Sequence, residues 1–143
     1  MDFRHPTTAE CTDVHVLVQA IVDEIYGGLW SEPPLPIDNE DWSQSWIAIY
    51  GTTLIGVVLT CGEWVEDLWV SAGFRGRGVG YQLLTLAETE IKDRGFHTAK
   101  LRVLSYNRNA IGFYKKRGWQ VKGEYCHERF PVFVTEMQKH LCL

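Results

Sequence analysis

The segment from Trp64 to Ile91 changes character twice. An apolar stretch, Trp64-Val65-Glu66-Asp67-Leu68-Trp69-Val70, gives way to Arg75-Gly76-Arg77-Gly78-Val79-Gly80, after which apolar residues recur at helical spacing as Val79, Leu83, Leu86, Ala87 and Ile91. This pattern predicts a strand, a tight glycine bend and a helix in immediate succession. Glycine has no Cβ, so the N–H groups of such a bend can converge on one point. A helix starting near Gly78 adds its unpaired N–H groups and the positive end of its dipole. The arrangement suits an anion such as phosphate. The plain alternative is a tight turn carrying two solvated arginines.

The other elements follow from the same periodicities. Phe3 to His5 reads as a first strand closed by Pro6. Thr7 or Thr8 then caps a helix with Val14, Leu17, Val18, Ile21 and Ile25 on its apolar face, ended by Gly27-Gly28. Ser31-Glu32-Pro33-Pro34-Leu35-Pro36 is a loop. Trp46 to Tyr50 and Thr53 to Thr60 form a hairpin through Gly51-Thr52. His97 to Val103 alternates as a two-faced strand. Asn107 caps a helix through Ala110, Ile111, Phe113 and Tyr114 that stops at Gly118, and Trp119 to Tyr125 and Val132 to Met137 are the last strands. The order β-α-loop-β-β-β-α-β-α-β-β fits an α/β fold with a mixed sheet and helices on both faces. One domain over residues 1–143 is expected, since a chain of this length buries about 70% of its unfolded surface.

Several functions are disfavoured. The longest apolar run, Leu54 to Leu59 with Gly56 inside it, is far short of the roughly 18 residues of a membrane helix. Met1-Asp2-Phe3-Arg4 begins no secretory signal. Cys11, Cys61, Cys126 and Cys142 form no C-x-x-C pair, so reduced thiols and a cytoplasmic location are expected, without membrane attachment. The five histidines, His5, His15, His97, His127 and His140, show no paired spacing, and no metal site is expected. A dinucleotide site needs an early strand before the glycines and an acidic residue ending the next strand. Here the bend follows a hairpin, and the next strand ends in Arg102-Val103-Leu104-Ser105-Tyr106. Gly-Lys-Ser/Thr is absent, which excludes a P-loop. A net charge of −4 argues against nucleic acid. That total conceals a division: residues 1–67 carry twelve carboxylates against Arg4 alone, or −11, and residues 68–143 carry thirteen Lys and Arg against six carboxylates, or +7. A polyphosphate ligand suits the basic part, and a cationic co-substrate suits the acidic part. Two merely solvated faces would give the same division.

Leu68-Trp69-Val70, then Arg75-Gly76-Arg77-Gly78-Val79-Gly80, then Asn107-x-x-Ala110-x-x-Phe113-Tyr114-x-x-x-Gly118-Trp119 resemble the GNAT family of N-acetyltransferases. That family's signature is R/Q-x-x-G-x-G/A after a strand, followed by N-x-x-A-x-x-x-Y-x-x-x-G-F, and the likeness runs from about Trp46 to Met137. The family commonly has a proline near the position of Ala72; its absence here bears on loop stiffness. The resemblance implies a single-domain, mostly antiparallel mixed sheet with splayed central strands, and acetyl-coenzyme A as co-substrate. It assigns the pyrophosphate to backbone N–H groups from Arg75 to Gly80. It places the pantetheine arm between the strands Trp64 to Val70 and His97 to Val103, touching Leu68, Trp69, Val70 and Asn107. Tyr114 would direct its hydroxyl at the thioester sulfur. A phenol of ordinary pKa near 10 is a suitable acid for a thiolate whose conjugate acid has a pKa of about 8.5. On helix spacing alone, Tyr114 reads equally as a core aromatic beside Ala110 and Ile111. The Val70 N–H would polarise the acetyl carbonyl.

A base for the acceptor ammonium is expected at Glu66, which shares a strand face with Leu68 and Val70. Glu63 stands nearby, and a water chain without a single base is the competing reading. The acceptor is a primary amine on a small molecule or peptide, met by the segments Ile25 to Ser45 and Tyr125 to Val132. Trp30 and Trp42 could wall its pocket. Glu32, Asp38, Glu40 and Asp41 would favour a polycationic acceptor. A homodimer is compatible with this reading. The rival from another class is a non-catalytic acyl-coenzyme A binding or regulatory module.

Overall fold

The computed structural model describes residues 1–27, 41–128 and 130–141, and the expected elements appear in their expected order. They are β1 (Asp2–Arg4), α1 (Thr8–Tyr26), β2 (Trp46–Tyr50), β3 (Thr53–Cys61), β4 (Trp64–Val70), α2 (Val79–Asp93), β5 (Thr98–Leu104), α3 (Arg108–Lys115), β6 (Gln120–Cys126) and β7 (Phe133–His140). Short 3-10 turns occupy Trp42–Gln44 and Ala72–Phe74. The proline loop from Ser31 to Pro36 lies outside the described residues.

The seven strands are hydrogen-bonded neighbours in the order β1-β2-β3-β4-β5-β7-β6. The β1/β2, β2/β3, β5/β7 and β6/β7 pairs are antiparallel and β4/β5 is parallel, a mixed and mostly antiparallel sheet. The β4/β5 ladder joins Trp64 to Lys100 and Val65 to Leu101, and its register stops there. β7 enters between β5 and β6, an order that sequence patterning does not specify. Val134, Thr135 and Met137 of β7 are buried, whereas β6 is exposed along nearly its whole length. β6 also carries a bulge between Val121 and Gly123, where Lys122 drops out of the register with β7.

Packing groups the chain into two compact units, Met1–Leu59 with Asp67–Ala87, and Thr60–Glu66 with Glu88–Leu143. In the first, Val14 and Val18 of α1, Ile47 of β2, Ile55 and Val57 of β3 and Leu83 of α2 are fully buried. Gly56 permits a close approach inside this unit. A Cβ there would stand 3.0 Å from Leu83 Cδ1 and 3.2 Å from the Trp69 carbonyl oxygen. In the second unit Ala99, Leu101, Met137, Ile91 and Trp119 form the apolar centre. Glu88 accepts from Trp119 Nε1 at 3.1 Å and Lys139 Nζ at 2.7 Å, fastening α2 to the start of β6 and to β7.

Of the two threonines expected to cap α1, Thr7 is the one that does. Thr7 and Glu10 form a reciprocal capping box, and Glu10 also accepts two hydrogen bonds from Arg4, at 2.7 and 2.9 Å. The Arg4 guanidinium, followed by the Thr7 N–H, lowers the Glu10 carboxyl from 4.5 to about 2. A carboxyl depressed on folding stabilises the fold above its unfolded pKa, and that contribution vanishes as pH falls through the folded value. Thermal melts from pH 7 to pH 2 should therefore show a loss in the wild type, between about pH 4.5 and 2, that is absent in Glu10→Gln. Parallel curves for the two proteins would show that the Arg4–Glu10 pair contributes nothing measurable.

Candidate active site

In the first unit, β4 ends at Val70 and Ser71 leads into the Ala72–Phe74 turn. That turn is closed by the Phe74 N–H on the Ser71 carbonyl at 2.9 Å and the Arg75 N–H on the Ala72 carbonyl at 3.4 Å. It supplies local constraint where the family commonly has proline. Gly76 and Gly78 follow with φ of +76° and +83°, left-handed conformations that side-chain-bearing residues rarely adopt. Among the described residues a Cβ on either would meet nothing within 4 Å, so those residues leave the bend open on the side where the hydrogens point. The first bond of α2 joins the Gln82 N–H to the Gly78 carbonyl at 3.0 Å, which leaves the Val79 and Gly80 N–H groups without intrahelical acceptors. Val79 turns its side chain into the core, 1% exposed. A left-handed glycine pair, a helix start and open space together fit a pyrophosphate.

The two arginines of the bend diverge. Arg75 Nε donates to the Val70 carbonyl at 2.9 Å, while its terminal nitrogens grip both carboxylate oxygens of Glu24, at 2.9 and 3.0 Å. The Arg75 guanidinium holds the Glu24 carboxyl below its ordinary range. Arg77 is exposed and lies over the Phe74 ring at 5.3 Å, and Phe74 in turn meets Tyr50 at 5.5 Å. Glu24 is the functional candidate missed in the sequence. It stands 51 residues from Arg75, and nothing in the α1 pattern marks it beyond lying off the apolar face.

Leu68, Trp69 and Val70 are half-buried on β4. Trp69 Nε1 donates to Asp67 at 2.9 Å, and its ring meets Tyr26 edge-on at 6.4 Å. The Ser71 N–H donates to the Ile55 carbonyl at 2.8 Å. Glu66, in the second unit, is exposed and makes no ion pair among the described residues. Glu63 is paired with Lys100 at 3.3 Å, and Lys100 lies over the Trp64 ring at 5.7 Å. Of the two glutamates, Glu66 is the more exposed.

Also in the second unit, the Asn107 N–H donates to the Leu104 carbonyl at 2.8 Å and its Oδ1 accepts the Ala110 N–H at 3.1 Å. Asn107 is thus the α3 cap that its sequence position predicts, with its carbonyl oxygen committed to the helix. Tyr114 is 8% exposed, edge-on to Phe113 at 5.3 Å and to Trp119 at 5.9 Å. Its ring therefore packs, whatever further part the hydroxyl plays. Gly118, with φ of +90°, turns the chain from α3 toward β6.

On the acceptor side, Trp30, Glu32, Asp38 and Glu40 lie outside the described residues. Trp42 is 4% exposed, a core residue rather than a pocket wall. Asp41 caps the Trp42–Gln44 turn through the Ser43 N–H at 3.1 Å. His5 bonds the Ser45 carbonyl at 2.8 Å and stacks on Trp46 at 4.1 Å, a structural role. Among the described residues no cluster of three His, Cys, Asp or Glu could hold a metal, and no helix is long and apolar enough to cross a membrane.

The chain is 30% identical over 105 residues to the peptidyl-lysine N-acetyltransferase YjaB of Salmonella typhimurium, covering 73% of this chain and 63% of that one. It is 32% identical over 57 residues to the thialysine N-epsilon-acetyltransferase of Bos taurus, covering 40% of this chain and 34% of that one. In four of the curated relatives it matches, the chain spans from 26% to 63% of their lengths. Among solved structures, the protein yncA of Salmonella typhimurium, determined with its cofactor acetyl-CoA, aligns with a TM-score of 0.75 at 18% identity over 100% of this chain and 95% of that one. At that identity the likeness speaks to the fold. The model of the acetyltransferase (GNAT) family matches residues 16–119, a span that starts inside α1 and takes in both the glycine bend and the Asn107–Trp119 segment. With most of its length matched in this way, the chain belongs to the acetyltransferase (GNAT) family.

Proposed function

We propose that this chain transfers the acetyl group of acetyl-coenzyme A to a primary amine of a small molecule or peptide, as one domain over residues 1–143. The observation that carries the reading is the left-handed Gly76/Gly78 bend between the end of β4 and the start of α2, in a chain of this family. The two curated relatives described above are named for peptidyl-lysine and thialysine N-epsilon acetylation, which supports an amine on a flexible side chain as acceptor. Free Cys11, Cys61 and Cys126 are compatible with a cytoplasmic location.

Bound acetyl-coenzyme A supplies an acetyl group already activated as a thioester. The N–H groups of Gly76 to Gly80 bind its pyrophosphate, each charge-assisted bond contributing about 1.5–3 kcal/mol. Arg77 adds an exposed positive charge on the same bend. Leu68, Trp69 and Val70 line the acyl end, and the Val70 N–H is the donor that orients the carbonyl. Asn107, through its position at the α3 cap, meets the pantetheine arm. Tyr114 offers its phenolic O–H to the departing sulfur. Glu66 takes the ammonium proton of the acceptor, directly or through water.

Thiol release from acetyl-coenzyme A tests the proposal, read across polyamines, aminoglycosides, amino acids, lysyl peptides and peptide N-termini, with mass spectrometry of the amine. One amine class should be acetylated in step with thiol release. If that class is polycationic, its kcat/KM should fall with added salt more steeply than that of a monoamine. Coenzyme A binding without turnover on any amine would favour the non-catalytic module instead.

A further inference from the structure

We infer that Glu24 and Arg75 form a clasp that positions the end of β4, and that the Arg75 guanidinium serves this clasp rather than a phosphate. The inference rests on the proposed function for what lies at the end of β4, but its geometry is independent of it. The Val70–Ser71 peptide is held at both ends: its carbonyl accepts from Arg75 Nε at 2.9 Å, and its N–H donates to the Ile55 carbonyl at 2.8 Å. Arg75 can hold that carbonyl in place only if its own guanidinium is fixed. The two bonds to Glu24, at 2.9 and 3.0 Å, fix it in a planar fork that lysine cannot reproduce.

The energetics point to geometry as the purpose of the pair. Both side chains are well exposed, 38% for Arg75 and 47% for Glu24, and such pairs contribute little to global stability. Glu24 also cancels the charge that Arg75 would otherwise offer an anion. Turning the Val70 backbone would move both the carbonyl held by Arg75 and the N–H assigned to the acetyl group. Loss of the clasp should therefore affect the chemical step more than cofactor binding.

Arg75→Gln, Arg75→Lys and Glu24→Gln are compared with the wild type by steady-state kinetics, by calorimetry with coenzyme A, and by hydrogen exchange at the Ser71 amide. Each variant should lower kcat by about 5- to 50-fold, within the roughly 100-fold that a displacement of 1 Å brings. The Kd for coenzyme A should change by less than about 3-fold, and the Arg75→Gln/Glu24→Gln double variant should be no worse than either single one. The Ser71 amide should exchange about tenfold faster or more in Glu24→Gln, a readout that needs neither cofactor nor turnover. A tenfold weaker Kd in Arg75→Gln, with kcat and Ser71 exchange unchanged in Glu24→Gln, would overturn the clasp and make Arg75 a phosphate ligand. A wild-type chain that binds no coenzyme A would overturn the proposed function, and Ser71 exchange would still decide for or against the clasp.

Discussion

Replacing Gly78 by glutamate should abolish coenzyme A binding, weakening Kd by about 100-fold or more in calorimetry. Two effects act together. Gly78 has φ of +83°, where a side chain brings strain of about 1–3 kcal/mol. Because a Cβ at this position meets nothing within 4 Å among the described residues, the carboxylate need not clash with them and would instead occupy the open side of the bend, repelling an anion there. Gly78→Ala separates the two effects, since it carries the same strain without the charge. Its affinity should be intermediate, and melting curves for both variants should report the strain alone. An unchanged Kd in Gly78→Glu would place the cofactor elsewhere on the molecule.

Tyr114→Phe should lower turnover by about 10- to 10⁴-fold with coenzyme A affinity nearly intact, the signature of a lost proton donor. The ring contacts to Phe113 and Trp119 survive in phenylalanine, so the substitution keeps that packing. A Tyr114→Ala variant would not discriminate, since emptying a site only 8% exposed destabilises the second unit by itself. Turnover at the wild-type rate in Tyr114→Phe would reduce the residue to packing and return the proton donor to solvent.

Much of the architecture is legible because local rules and tertiary structure agree. The Thr7 cap, the Asn107 cap and the left-handed Gly51, Gly76, Gly78 and Gly118 each sit where composition and spacing place a cap or a turn. Legibility fades where the information is non-local. Nothing in β6 or β7 taken alone states that β7 enters the sheet beside β5, although the Lys122 and Glu124 charges of the exposed β6 suit an edge strand. Gly56 reads as a break in an apolar strand, and its reason, the approach of Leu83 and the Trp69 carbonyl, belongs to residues distant in sequence. The same holds for Arg75: the bend reads as a backbone anion site carrying two arginines, and the partner that the fold gives one of them, Glu24, lies 51 residues away.

The bulge in β6 has a consequence for how copies of this chain meet one another. A sheet that ends in an open strand offers a template on which another strand can be laid, and repeated additions lead to fibres. Here the template is flawed at its middle: the register with β7 slips between Val121 and Gly123, and Lys122 stands exposed at that point. A second strand could follow only a short stretch of this margin before losing its match. Growth by strand addition at the β6 margin is thereby disfavoured.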